Sequence, residues 1–259
     1  MIIGFIGTGH MGGSIALALG KGGAHRLLLH NRTEEKAARL QEAIGENAKV
    51  ASFDEVASRA DVLFLGVKPV DLDDVLKALP RPHGIVISMI AGVNLEEIAP
   101  LVGGAPLVRV LPNTPVAVGK GFTLVTFDAS FSETRKKEVL DLLSPMGEVV
   151  EVTEDKLNPG GVLTGSAPAY LDYFVDALAE AGVSIGLTKE EATQYVLAMC
   201  EGVIALAKES GKSPKRLGEE VCSPGGSTIE GVQVLLERGL YSMVKEASLA
   251  TYRKNQKMR

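Results

Sequence analysis

The sequence predicts two parts of different class, an α/β, doubly wound first part and an all-helical second part. Three observations predict it. Short apolar runs alternate with helix-like segments up to about residue 153. A Gly-x-Gly-x-x-Gly stands directly after the first apolar run, where a strand would turn into a helix. Beyond residue 153 the strand-like runs cease, and apolar residues recur at helical spacing.

In the first part, strands are expected at Ile2–Ile6, Arg26–His30, 62–67, 85–90, Leu107–Leu111 and 123–127. Each is β-branched or Leu-rich. Helices are expected between most of them, at 11–21, 33–44, Phe53–Arg59, 70–79 and 95–101. Continuous apolar strands separated by helices imply a parallel sheet covered on both faces. Right-handed crossovers make it doubly wound. A helix at 132–143 and a short strand at 148–152 complete this part.

In the second part, 169–181 carries Leu171, Phe174, Val175 and Leu178 on one helical face, with Pro168 in the first turn. Thr188-x-x-Glu191 is a capping box and opens a helix to about Lys208. Its apolar stripe is Ala192, Val196, Met199, Val203 and Leu206. Ser223-Pro224 is expected to open another helix, ended by Gly239, and a last helix covers about 241–254. The domains are therefore 1–153 and 154–259, with no long linker.

Composition narrows the function. Lys plus Arg is 27 and Asp plus Glu is 32, so the net charge is −5. With a pI near 5.5, the chain is not expected to bind nucleic acid. Trp is absent and aromatics are 5%, a poor inventory for base stacking. Cys200 and Cys222 have neither metal-type spacing nor the number a disulfide framework needs. No metal is expected, and a reducing cytoplasm is. No apolar run has the length of a bilayer span, so no membrane partner is expected. The apolar N-terminus lacks a basic region and reads as a strand rather than a signal peptide.

The glycine motif is Gly7-Thr8-Gly9-His10-Met11-Gly12. Gly7 permits a tight turn, Gly9 lets the backbone approach a pyrophosphate, and Gly12 allows close helix–strand packing. The helix start supplies N–H groups and a dipole to the phosphates. At the end of the second strand stand Asn31, Arg32 and Thr33, with no carboxylate before Glu34. An acidic residue there suits NAD and an Arg suits the 2′-phosphate of NADP. NADP(H) is thus the preferred cofactor, with NAD(H) also accepted, and Arg32 is the main phosphate partner. Thr33 doubles as a helix cap.

Val67, Lys68 and Pro69 follow the third of these strands, at the carboxyl edge where open α/β sheets bind ligands. Val67 suits adenine or ribose, and Lys68 suits cofactor or substrate charge; a solvated Lys is the bland alternative. Ala91-Gly92-Val93 leaves room for a nicotinamide ring, but also suits any tight turn. In Arg109-Val110-Leu111-Pro112-Asn113-Thr114-Pro115 two prolines fix the backbone. Asn113 then points toward the cofactor or serves a rigid turn. Ser223-Pro224-Gly225-Gly226-Ser227-Thr228-Ile229 is the most informative segment. Its two glycines bare the N–H groups of a helix start for an anion such as a carboxylate, although each Gly costs about 1 kcal/mol there relative to Ala. The small residues of 163–170 allow close approach of a ligand or of another helix. All four histidines lie in the first 83 residues, so the helical part offers no His base, and none of the four is assigned a catalytic role.

Taken jointly, these motifs resemble pyrroline-5-carboxylate reductase over nearly the whole length. The resemblance rests on the 7–12 loop, Leu65-Gly66-Val67-Lys68-Pro69, the 109–115 segment, Gly165-Ser166-Ala167-Pro168-Ala169-Tyr170 and above all 223–229. It implies a Rossmann-type domain followed by an all-helical dimerisation domain. It implies NAD(P)H-dependent reduction of the small cyclic imine Δ1-pyrroline-5-carboxylate to L-proline, the final step of proline biosynthesis. It also implies a homodimer of interlocked helical domains, often assembled into rings of dimers such as a decamer. The substrate carboxylate would lie on the N–H groups of Gly226, Ser227 and Thr228, and the Thr228 hydroxyl would bond the imine nitrogen. Three positions depart from the family pattern. His10 stands where Asn is usual, Ala167 replaces a Gly, and Asn158-Pro159-Gly160 replaces an Asp-Ala stretch. Other readings are a related imine or 3-hydroxyacid oxidoreductase and a catalytically silent NADP-binding regulator. The absence of Lys between residues 169 and 186 counts against a hydroxyacid dehydrogenase. The intact Thr228 segment counts against a silent regulator.

Overall fold

The structure is a computed structural model that describes residues 1–257, apart from the side chain of Pro69. Strands β1 (Ile2–Ile6), β2 (Arg26–His30), β3 (Ala48–Val50), β4 (Val62–Leu65), β5 (Ile85–Ser88), β6 (Leu107–Leu111), β7 (Gly121–Phe127) and β8 (Gly147–Glu151) form one sheet. Its order is β3-β2-β1-β4-β5-β6-β7-β8. Helices α1 (His10–Gly20), α2 (Glu34–Ile44), α3 (Phe53–Arg59), α4 (Leu72–Ala78), α5 (Leu95–Ile98) and α6 (Glu133–Leu143) lie between strands. The order reverses between β1 and β4, which makes that junction the switch point where such sheets bind ligands.

Neighbouring residues of the central strands point into different layers, as the pleat requires. Phe5, Leu29, Phe64 and Val108 join one apolar cluster, and Ile6, Leu28, Leu65 and Leu107 join the other. Phe5 stacks on Phe64 with ring centroids 4.8 Å apart. The doubly wound expectation is met, with two corrections. β7 runs antiparallel to β6, because the nine residues between them are too few for a crossover helix. β3 has no counterpart among the expected strands; at three residues it is too short to show a pattern.

The second part holds α7 (Glu154–Gly161), α8 (Ala167–Ser184), α9 (Lys189–Ser210), α10 (Pro214–Val221), α11 (Ser227–Glu237) and α12 (Leu240–Gln256). The capping box at Thr188 and Glu191 is formed, with Glu191 N–H donating to the Thr188 hydroxyl. A single π-helical stretch, Val162–Ser166, separates α7 from α8, just after Pro159 has removed one helical N–H. The chain divides into two compact units, Met1–Ser166 with Thr251–Arg259, and Ala167–Ala250.

The helix expected from Ser223 is corrected. Gly226 N–H donates to Ser223 C=O at 3.0 Å, and Gly225 has φ +70°. Ser223-Pro224-Gly225-Gly226 is therefore a β-turn with Pro and a left-handed Gly at its centre. The helix begins only at Ser227, because the Pro-Gly turn preference outweighs the helix start that Pro alone would favour.

Candidate active site

The first unit carries a cleft of about 250 Å³ at the carboxyl ends of β1, β2 and β4. Gly7 and Gly9 form its floor after β1. His30, Asn31, Arg32 and Thr33 arrive from β2, and Gly66, Val67 and Lys68 from β4. Each glycine of the loop is needed for a different reason. Gly7 has φ +98°, and a Cβ on it would meet Gly66 C=O at 2.5 Å. A Cβ on Gly12 would meet Gly7 C=O at 2.2 Å, so the close approach expected of Gly12 is made to the glycine loop itself. A Cβ on Gly9 would meet nothing within 4 Å, so its surroundings are open. Thr8 is buried and its hydroxyl has no protein partner. An open cradle and an orphaned hydroxyl at a helix N-terminus fit the phosphates of a dinucleotide. His10 is exposed at the start of α1, and Met11 packs half-buried against the core.

Three further positions have fold contacts of their own. The Asn31 carbonyl oxygen accepts from Thr8 N–H at 3.1 Å, and its amide donates to Thr33 C=O at 2.9 Å. Asn31 thereby ties the end of β2 to the glycine loop. Thr33 is the N-cap residue of α2, but its hydroxyl makes no cap hydrogen bond. Asn113 is buried, and its side-chain oxygen accepts from Phe122 N–H at 2.8 Å, holding the end of β6 to the start of β7.

Arg32 is exposed, and its guanidinium donates to Asp71 at 3.0 Å. Lys36 and Lys68 line the same cleft, while Ile6, Val67, Phe53 and Val75 give it an apolar wall. His30 packs edge-on against Phe53, with ring centroids 5.5 Å apart. Lys36, His30, Phe53 and Asp71 carry no motif signal. The spacing of Lys36 four residues after Arg32, on the first turn of α2, is the cue that could have found it. Pro69 opens a 3-10 turn, Pro69–Asp71, and its side chain lies outside the described residues.

A second cleft, of about 300 Å³, is lined by Gly92, Asn158, Tyr252, Asn255 and Gln256. Gly92 has φ +79°, and Ala91 beside it is exposed. Behind this cleft lies Arg109, fully buried in β6. It donates to Glu154 and, at 2.8 Å, to the Asn158 side-chain oxygen. A buried guanidinium demands such partners, and α7 supplies both.

In the second unit, no side chain caps α11, whose N-cap is Gly226. Ser227 and Thr228 are exposed at its first turn. The Gly226 N–H already serves the Ser223 turn, so Ser227 and Thr228 present the bare N–H groups of this helix start.

A glycine-loop cleft at the switch point of a Rossmann sheet, with a cationic rim where the ribose phosphate belongs, defines a dinucleotide-dependent oxidoreductase. Residues 2–92 match the family model described as NADP oxidoreductase, coenzyme F420-dependent. Residues 154–258 match the model for pyrroline-5-carboxylate reductase dimerisation. The chain is 35% identical to pyrroline-5-carboxylate reductase of Aquifex aeolicus, covering 100% of this chain and 97% of that one. It is 34% identical to the Escherichia coli enzyme of that name, over 99% and 97%. The chain belongs to the pyrroline-5-carboxylate reductase family. Among solved structures, the Streptococcus pyogenes enzyme has a TM-score of 0.92 at 32% identity, covering 99% of this chain and 98% of that one. The Plasmodium falciparum enzyme, solved with NADP bound, has a TM-score of 0.90 at 27% identity, over 100% and 98%.

Proposed function

We propose that this protein reduces Δ1-pyrroline-5-carboxylate to L-proline and prefers NADPH. The observation that carries this reading is the likeness to pyrroline-5-carboxylate reductases across the whole chain, spanning both units. Bound NADPH supplies the hydride that reduces the imine carbon. The chain's own residues bind and orient. Gly7, Thr8, Gly9, His10, Met11 and Gly12 hold the pyrophosphate at the start of α1. Arg32 holds the 2′-phosphate, with Asn31 and Thr33 shaping the loop beneath it. Val67, Lys68, Pro69, Ala91, Gly92 and Asn113 bound the remainder of the cofactor site.

The substrate carboxylate is held by backbone N–H groups at the start of α11, principally those of Ser227 and Thr228, with Gly226 setting the turn. The Thr228 hydroxyl bonds the imine nitrogen and orients it. Thr is too weak an acid to be the proton source by itself, so water supplies the proton to nitrogen.

A division of labour at residue 153 is part of the proposal, with 1–153 for cofactor and 154–259 for substrate and dimerisation. So is a homodimer through the helical part. It is supported by exposed apolar side chains such as Phe174, Tyr195, Val203, Leu206 and Val244, a patchwork that in a monomer signals an interaction surface. A cytoplasmic location is supported by the unpaired Cys200 and Cys222. No helix among the described residues is long and apolar enough to cross a membrane.

The test is loss of NADPH absorbance with Δ1-pyrroline-5-carboxylate, run beside Thr228→Ala. We expect turnover by the native protein and a fall in kcat of about 10- to 100-fold in the variant, with NADPH affinity unchanged. No turnover by a protein that still binds NADPH would overturn the proposal.

A further inference from the structure

The ribose end of the cofactor cleft carries a feature that the reductase reading does not need. The three residues that follow β2, Asn31, Arg32 and Thr33, include no carboxylate. Among the described residues that line the cleft, the only acidic side chain is Asp71. It comes from the far side, on the turn after β4, 39 residues beyond Arg32. Its Oδ1 accepts from Arg32 Nη1 at 3.0 Å, so an ion pair joins two loops of the same cleft.

The ordinary reason for an Asp at this place does not apply. Asp71 is the N-cap residue of α4, where a carboxylate usually accepts from a backbone N–H two or three residues on. Here it makes no cap hydrogen bond. The carboxylate is directed at Arg32 instead. The pair is not a strong structural tie, because the Arg32 side chain is 83% exposed and such pairs contribute little to stability.

The geometry points to Asp71 as a residue that sets the choice between NADPH and NADH, a conclusion that rests on the reductase reading above. A 2′-phosphate carries close to two negative charges. At the Arg32 guanidinium it competes with the Asp71 carboxylate for Nη1, and it then has that carboxylate as a like-charged neighbour. NADH has no 2′-phosphate and leaves the Arg32–Asp71 pair intact. Asp71 therefore narrows the preference for NADPH that Arg32 creates, and it keeps NADH usable. Lys36 and Lys68 line the same cleft and offset part of this repulsion.

Direct titration of cofactor fluorescence tests this without turnover, and the absence of Trp removes one overlapping signal. Asp71→Asn keeps the shape and removes the charge. We expect its Kd for NADPH to fall about fivefold, the size of one exposed charge interaction, while its Kd for NADH stays within about twofold. Asp71→Glu, which keeps the charge, should retain the native ratio. In an Arg32→Ala background the gain from Asp71→Asn should shrink to within about twofold, because no guanidinium is left to compete for. An equal gain in both backgrounds would overturn the competition. So would an unchanged NADPH-to-NADH ratio, or a loss of NADH binding with NADPH unaltered. A native protein that binds neither cofactor would overturn the reductase reading, and this inference with it. A native protein that binds both, with no shift in Asp71→Asn, overturns this inference alone.

Discussion

The two units of the chain bury their apolar residues in opposite ways. In Met1–Ser166 with Thr251–Arg259, strand residues such as Phe5, Leu29, Phe64 and Ile87 have no exposure at all. In Ala167–Ala250, the buried apolar side chains among the described residues are Ala179 and Ala192. Phe174, Tyr195, Val203 and Leu206 stand exposed on its helices. The first unit closes its own core between the two faces of a sheet. The second, among its described residues, leaves much of its helical stripes exposed, and two buried alanines contribute little against the entropy of ordering its helices. The difference teaches that apolar periodicity says where a face is and not what covers it. A second copy of the chain is the occupant proposed above.

The largest expected effect strikes the open side of that comparison. Val203→Glu with Leu206→Glu puts two charges on the α9 stripe. If a second copy covers this face, each buried charge costs several kcal/mol. Sedimentation should then show a shift from dimer to monomer, with a loss of activity of at least about 100-fold. An unchanged mass and rate would leave the face without a partner. The native Tm should also rise with protein concentration, as linked association requires.

Next in size is Arg109→Leu, which attacks the closed side. It removes the cation that holds Glu154 and Asn158 against β6. Breaking a buried pair from one side costs about 3 kcal/mol, read by urea denaturation. The loss in ΔG should be the same at every protein concentration, because the contact lies within one unit. A loss that scales with concentration would break the proposed contrast.

Gly12→Ala and Gly9→Ala divide fold from ligand inside one loop. Gly12→Ala drives a Cβ into the Gly7 carbonyl and should cost about 2 kcal/mol of stability. Gly9→Ala meets no protein atom within 4 Å, so its stability should hold within about 0.5 kcal/mol. Its Kd for NADPH should rise about tenfold or more, because the methyl occupies the space proposed for the pyrophosphate. Equal stability losses in the two variants would refute this separation.

The loop was legible because its spacing carries its geometry, and Gly7 and Gly12 are constrained as the motif requires. Other features were hidden for physical reasons. Arg109 reads as an ordinary charged residue in a strand. Its burial depends on Glu154 and Asn158, 45 and 49 residues away, on a helix that Pro159 and two glycines disguise. Asp71 falls inside the helix expected at 70–79 and carries no motif of its own; only the fold brings its carboxylate to Arg32. At Ser223 the signals were all visible but pointed two ways. Pro224 suits a first helical turn and also the second position of a β-turn, and the positive φ of Gly225 decides for the turn.

The smallest expected effect separates the units by pH. All four histidines belong to the first unit. Among them, His25 has its pKa lowered from the ordinary imidazole value, first by burial and second by the positive N-terminal amine. Its Nδ1 is buried with no hydrogen-bond partner. The unfolded chain therefore takes up the proton first as pH falls. Stability contributed by neutral His25 is full above about pH 6.5, declines as pH drops below that value, and stops changing below the depressed folded pKa. His25→Gln removes this titration. Between about pH 7 and pH 5.5, the variant should lose slightly less stability than the native protein in denaturant melts. A native slope equal to that of the variant would mean that the His25 ring is as well solvated in the fold as in the unfolded chain.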